Sequence, residues 1–162
     1  MEWERRVSDL WASVDDLDRQ EFLESMERLI DELPADSAVA AFERASSLDS
    51  TGHSDLAVPL YRRALELGLE DERRRRAVIQ MASSLRNLGR APESVALLSA
   101  EREAASDRLD DAVEAFLALA LVDVGREREA ASVALGALAP HLPRYQRSLT
   151  NYARLIGEHP SG

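Results

Sequence analysis

The side chains with the widest chemical range in this sequence are three histidines, His53, His141 and His159. A histidine that ligates a metal from a helix usually has a second ligand three or four residues away, on the same helix face. None of the three has such a neighbouring histidine, and the chain has no cysteine that could supply a thiolate. We therefore expect no metal site, no bound cofactor and no disulfide.

Paired carboxylates could carry out general acid–base chemistry if they faced each other in a closed pocket. The pairs Asp15–Asp16 and Asp110–Asp111 instead stand at predicted helix starts, where acidic groups complement the helix dipole. No glycine-rich phosphate loop is present, and the serines of ASSLD and ASSLR have no histidine placed as a base. The sequence therefore predicts a protein that is not an enzyme.

A run of four arginines, residues 73–76, could in principle bind an anion or a nucleic acid. Glu70, Asp71 and Glu72 each precede an arginine of the run by four residues. In a helix this spacing forms ion pairs worth about 0.2–0.5 kcal/mol each. We interpret the run as a solvated helix face.

Charge and composition limit the class of partner. The 162 residues contain 20 basic residues, all arginine, against 30 acidic ones, and the net charge is −10. An acidic surface repels phosphate backbones, so we expect no nucleic-acid partner. The charged N-terminal segment is unlike a secretory signal, and no apolar run approaches the ~20 residues that span a bilayer. We therefore expect no membrane association and a cytoplasmic location.

Apolar residues follow a helical period along almost the whole chain, and runs of β-branched residues are absent. The spacing of Trp3, Val7 and Trp11 predicts a first helix. Asp18 and Glu21 form a capping box that predicts the start of a second helix. The pattern continues to the end of the chain and predicts an all-α fold.

Three glycines, Gly52, Gly89 and Gly125, recur at intervals of 37 and 36 residues. Small and large apolar residues keep a constant distance from them, with alanine seven residues before each glycine and leucine four residues before it: Ala45, Ala82, Ala118, Leu48, Leu85 and Leu121. The alanines let two helices approach closely, and the leucines fill the space between them. The chain is therefore predicted to repeat a helix–turn–helix unit.

This pattern resembles the tetratricopeptide repeat, whose unit of ~34 residues forms two antiparallel helices. The resemblance is carried by residues 41–68, 78–98 and 115–138, and the SLRNLG turn is similar to that of a small bacterial subgroup. It implies a single domain, a right-handed superhelical stack of about three hairpins between helical caps. The expected parts are N-terminal capping helices at 1–35, three repeats at 36–140, a C-terminal capping helix at 141–157 and a flexible tail at 158–162.

The resemblance also implies a concave groove lined by the first helix of each repeat, which binds a peptide or protein partner. The middle repeat offers amides and arginines to such a ligand, whereas the third offers mainly apolar residues such as Leu119 and Val122. The groove residues that we expect are Phe42, Ser46, Asp49, Arg76, Gln80, Ser83, Arg86 and Asn87. The lysine clamp of chaperone-binding relatives is absent, because the chain has no lysine.

Three alternatives remain open at this point. The Trp3 and Trp11 helix is either a cap or an occupant of the groove, its own or that of a second copy. Arg86 either binds a ligand carboxylate or pairs with Asp49 of the neighbouring repeat. The chain itself is either a non-catalytic interaction adaptor or a structural module that forms homodimers or larger homo-oligomers through exposed apolar helix faces.

Overall fold

The computed structural model describes residues 2–158, which form helices and connecting turns with no strand in that range. A short 3-10 helix, Ala139–His141, lies between the last two α-helices. The α-helices are α1 (Glu2–Ala12), α2 (Arg19–Ile30), α3 (Ala38–Ser50), α4 (Ser54–Glu66), α5 (Asp71–Asn87), α6 (Ala91–Ala104), α7 (Asp110–Asp123), α8 (Glu127–Leu138) and α9 (Gln146–Glu158). The predicted all-α class is confirmed.

The helix start predicted at Asp18 is confirmed by its cap, and a second helix is capped in the same way by Ser37. The Asp18 carboxylate accepts a hydrogen bond from the Glu21 backbone N–H at 2.9 Å, at the start of α2. The Ser37 hydroxyl accepts one from the Ala40 N–H at 3.2 Å, at the start of α3. Each cap satisfies a backbone donor that the first turn of a helix leaves without an internal partner.

The three repeated glycines form the tight turns of the hairpins. Gly52, Gly89 and Gly125 have φ values of +92°, +75° and +76°, in the left-handed region that favours glycine. Each follows the first helix of a hairpin and reverses the chain into the second. The glycine spacing in the sequence therefore corresponds to a repeated backbone conformation.

The chain divides into two compact units, one ending at Ala77 and the other beginning at Val78. Helix α5 runs through this boundary. In the first unit, α1 packs on α2 and α3 on α4. Its core contains Val7, Phe22, Met26, Ile30 and Ala40.

The second unit is built on the predicted repeat positions. Ala82, Ala118 and Leu121 are buried in its core, as is Ala130, five residues after Gly125. Helices α6 and α8 both pack against α7. The small residues therefore lie inside the unit, as the repeat pattern predicts.

The C-terminal helix α9 packs on α8. The Ser132 hydroxyl of α8 donates a hydrogen bond to the Ala153 carbonyl of α9 at 2.7 Å. A Cβ atom on Gly157 would lie 2.7 Å from the Ser132 Oγ, so α9 approaches α8 closely at this point. Helix α9 begins at Gln146, later than the expected start of the C-terminal cap, and includes Glu158, the first residue of the expected tail 158–162. The rest of that tail, with His159, lies outside the described residues.

Ser94 leads to a prediction about stability. Its side chain is fully buried, and its hydroxyl has no hydrogen-bond partner among residues 2–158. The corresponding residues of the other repeats are Ala57 and Ala130. Since a buried hydroxyl without a partner costs about 1–3 kcal/mol, Ser94→Ala should raise the free energy of unfolding by about 1 kcal/mol. Urea unfolding followed by far-ultraviolet circular dichroism measures the change.

Ser84→Ala is the matched control. Ser84 is also fully buried in a helix, but its hydroxyl donates to the Gln80 carbonyl at 3.0 Å. The change in helix propensity is the same in both variants, so it cancels in the comparison. A stability gain no larger for Ser94→Ala than for Ser84→Ala would contradict the prediction.

Candidate functional site

The residues of the first repeat that we expected in the groove make their contacts within the first unit. Phe42 is fully buried, with its ring centroid 6.3 Å from that of Tyr61. Ser46 is also buried, and its side chain hydrogen-bonds to the Tyr61 hydroxyl. The expectation that Phe42 and Ser46 line an open groove is corrected, since both face the interior of the α3–α4 hairpin.

Asp49 also makes its contacts within the α3–α4 hairpin. Its carboxylate accepts hydrogen bonds from the Ser54 hydroxyl at 2.9 Å and from the Tyr61 hydroxyl at 3.4 Å. Burial is the main cause that raises the pKa of the Tyr61 phenol far above its ordinary range. The phenol therefore stays protonated as a donor, and Asp49 is part of a structural polar cluster.

The arginine run is not a solvated face, and that interpretation is corrected. Arg75 is only 3% exposed, and the Arg76 guanidinium lies 5.2 Å from the centre of the Phe42 ring. Arg73 forms ion pairs with Glu4 and with the buried Glu43, the latter at 3.2 Å. Burial lowers the pKa of the Arg73 guanidinium, but its bonds to the two carboxylates raise that pKa overall, so the charge is retained.

Helix α1 is anchored to the first unit by both tryptophans. The Trp3 indole N–H donates to the Leu29 carbonyl at 2.7 Å, and the Trp11 indole N–H donates to Glu43 at 3.0 Å. The Trp11 ring meets the Phe22 ring edge-on, with centroids 5.1 Å apart. These contacts, with Val7 in the core, favour the cap over a displaceable occupant.

The expected site residues of the middle repeat lie toward the end of α5 in the second unit. Gln80 and Ser83 are half-buried, and Asn87 is exposed. Arg86 pairs through its Nε with the carboxylate of Asp123, in the third repeat. Arg86 therefore pairs with Asp123 and not with Asp49, the partner that one alternative expected. The pair does link two repeats, as that alternative expected.

An open depression lies between α7 and α8, and we call it the α7–α8 cleft. Its volume is about 510 Å³. Leu119 and Val122 are 45% and 49% exposed in it, although both are large apolar residues. The cleft is lined by Ala115, Ala118, Leu119, Val122, Glu127, Ala130, Ala131 and Ala134.

Glu127 is the charged residue in the lining of the cleft. It is the first residue of α8, two residues after Gly125. Asp111, one turn before Ala115 on α7, is outside this lining, and its carboxylate lies 2.7 Å from the His141 Nε2. The cleft thus combines a floor of small and branched apolar side chains with a single carboxylate, an arrangement suited to a mainly apolar ligand.

The sequence pointed to the middle repeat, whereas the apolar residues that remain exposed in the cleft belong to the third. Leu119 and Val122 stand six and three residues before Gly125, at the inner-face positions implied by the repeat. The apolar character of Leu119 and Val122 was the sequence signal that could have identified the cleft. It was weak, because apolar residues on a helix are more often part of a core.

Within residues 2–158, no three histidine or acidic side chains converge as metal ligands. His53 Nδ1 lies 3.2 Å from the Thr51 hydroxyl, and His141 pairs with Asp111 at the surface. No helix in this range is long and apolar enough to cross a membrane.

The hairpins, their glycine turns and the open apolar cleft define an all-α helical-repeat protein. A family model for the tetratrico peptide repeat matches residues 38–156, well over half of the chain. The chain belongs to this family. Comparison with curated proteins gave no match, and comparison with solved structures gave none either. Repeats of the family generally mediate protein–protein interactions and are generally non-catalytic scaffolds.

Glu43 provides a test of how α1 is held. Glu43→Gln removes a buried negative charge from Arg73 and weakens the acceptor of the Trp11 indole. Hydrogen bonds to charged groups contribute about 1.5–3 kcal/mol, and we expect the variant to lose about that much unfolding free energy. Chemical unfolding followed by tryptophan fluorescence measures the loss.

Glu32→Gln is the matched control for this substitution. Glu32 pairs with Arg6 of α1, but both side chains are more than one third exposed. Exposed pairs contribute about 0–1 kcal/mol, so the control should change little. Equal effects of the two substitutions would show that the buried carboxylate does not anchor α1.

Proposed function

We propose that this protein is a non-catalytic interaction scaffold that binds a peptide or protein partner on the inner face of its repeats. The α7–α8 cleft carries the proposal, because it leaves two large apolar side chains, Leu119 and Val122, exposed at inner-face positions. Exposed apolar patches with polar borders are typical of interaction sites. A cytoplasmic, bacterial setting is part of the same proposal.

Residues at the end of α5 extend the proposed site. Arg86 pairs with Asp123, the residue after the cleft-lining Val122, and Asn87 follows Arg86 on the exposed surface. An asparagine amide can bond a peptide backbone of any sequence, and an arginine can bind a carboxylate through two N–H groups. Gln80 and Ser83 are half-buried and would contact only a ligand that lies along α5. The proposed site does not include Phe42, Ser46 and Asp49, because their contacts lie within the α3–α4 hairpin.

A peptide selected against the full chain from a displayed random library tests the function. Leu119→Glu places a charge in the apolar floor and should weaken binding of that peptide by about tenfold or more. Arg86→Ala with Asn87→Ala should weaken it less, since these residues lie at the edge. Fluorescence anisotropy of the labelled peptide measures each dissociation constant.

Leu56→Glu is the control, because Leu56 is 51% exposed on α4, outside the proposed site. Both leucine variants should keep the helical circular dichroism of the natural chain, and Leu56→Glu should bind the peptide normally. Selection of no peptide, or binding unaffected by Leu119→Glu, would rule out the cleft as the partner site.

A further inference from the structure

The α7–α8 cleft has a counterpart in the preceding repeat, at the same distances from the repeat glycine. By this count, the cleft residues Ala115 and Ala134 correspond to Ile79 and Leu98 of the α5–α6 hairpin. Both residues of the second repeat are buried, whereas both residues of the third are exposed. The same positions of the hairpin are therefore covered in the second repeat and open in the third.

Helix α7 covers these positions in the second repeat. Its residues Val113, Leu117 and Leu121 form one buried cluster with both of those side chains of the α5–α6 hairpin. The three residues are spaced by four and therefore lie in one row along the helix. The α5–α6 hairpin thus packs against the first helix of the next repeat through a row of large apolar side chains.

The first repeat is covered at the matching position as well. Phe42, ten residues before Gly52, is fully buried, and the Arg76 guanidinium of α5 lies 5.2 Å from its ring centre. In the third repeat, α9 packs on α8 and leaves Leu119 and Val122 exposed. The α7–α8 cleft therefore corresponds to the place where the first helix of a following repeat packs, and it is open in residues 2–158.

One ion pair distinguishes the covered place from the open one. Arg86 of α5, three residues before Gly89, pairs with Asp123 of α7. The residue at the same position of the third repeat is Val122, which is 49% exposed. An acid that docked opposite Val122 would lose hydration without gaining a partner. The cleft therefore favours a helix with an apolar residue at the place that Asp123 takes in α7.

We infer that the α7–α8 cleft binds an amphipathic α-helix of a partner protein, docked as α7 packs on the α5–α6 hairpin. The partner helix carries a row of large apolar residues spaced by four, because Ala115 and Ala134 leave more room than their counterparts in the second repeat. It also carries an apolar residue opposite Val122. The inference rests on the proposed function and names its class of partner, a helix that continues the packing between successive repeats.

Two peptides derived from α7 test the inference. The first has the sequence of residues 106–126 with Leu119→Gln and Val122→Gln, since these exposed apolar side chains would make the peptide poorly soluble. The second carries Asp123→Leu in addition. The second peptide should bind the full chain about tenfold more tightly than the first, and both should gain helical circular dichroism on binding. Fluorescence anisotropy of the labelled peptides measures each dissociation constant.

Val122→Arg in the full chain places the cation of the second repeat in the cleft. It should reverse the order of the two peptides, because the arginine can pair with Asp123 of the first but is covered without a partner by the leucine of the second. Leu56→Glu, outside the cleft, should keep the natural order. An order that does not respond to Val122→Arg overturns the inference. So does the binding of neither peptide, or binding without a gain in helix.

The peptide selected from the random library separates this inference from the function on which it rests. A selected peptide that binds the natural chain, fails to bind Leu119→Glu and gains no helical signal keeps the scaffold function and overturns the helical partner. Peptides derived from α7 that behave as expected, while the library yields none, support helical docking in the cleft and overturn the cleft as the site of an unrelated partner.

Discussion

The close packing of two helices at small residues is the constraint on which the hairpins depend. Ala45 and Ala57 are fully buried in the α3–α4 hairpin, and Ala118 and Ala130 are buried in the α7–α8 hairpin. A larger side chain at these points would push the helices apart and disturb the side chains packed around them. The glycine turns follow from this constraint, because the helices can meet at the alanines only if the chain reverses within a few residues.

Much of the fold could be predicted from the sequence, because its signals are local. The Asp18 and Ser37 caps, the glycine turns and the helical period act over a few residues each. The roles of the arginine run could not be predicted in the same way. Arg73 pairs with Glu43 and Glu4, 30 and 69 residues away in sequence, and a local rule for helical ion pairs cannot find them.

The candidate site was less predictable for a related physical reason. Inner-face positions can be counted from each glycine, but the count does not say which side chains remain accessible. Phe42 fits the position count and is nevertheless buried beside Tyr61, whereas Leu119 fits it and remains exposed. Helix α9 packs on α8 and leaves Leu119 and Val122 exposed. Accessibility thus depends on where the neighbouring helix lies, which the position count does not contain.

The placement of the two tryptophans determines which part of the chain intrinsic fluorescence reports on. Both indoles of the chain, Trp3 and Trp11, belong to α1 and lie against α2 and α3. Intrinsic tryptophan emission therefore monitors only the N-terminal end of the first unit, while the helices from α6 onward contribute to circular dichroism without a tryptophan of their own. The natural chain thus carries a built-in local reporter, and a difference between the two optical signals would resolve local fraying of α1 from the loss of the remaining helices.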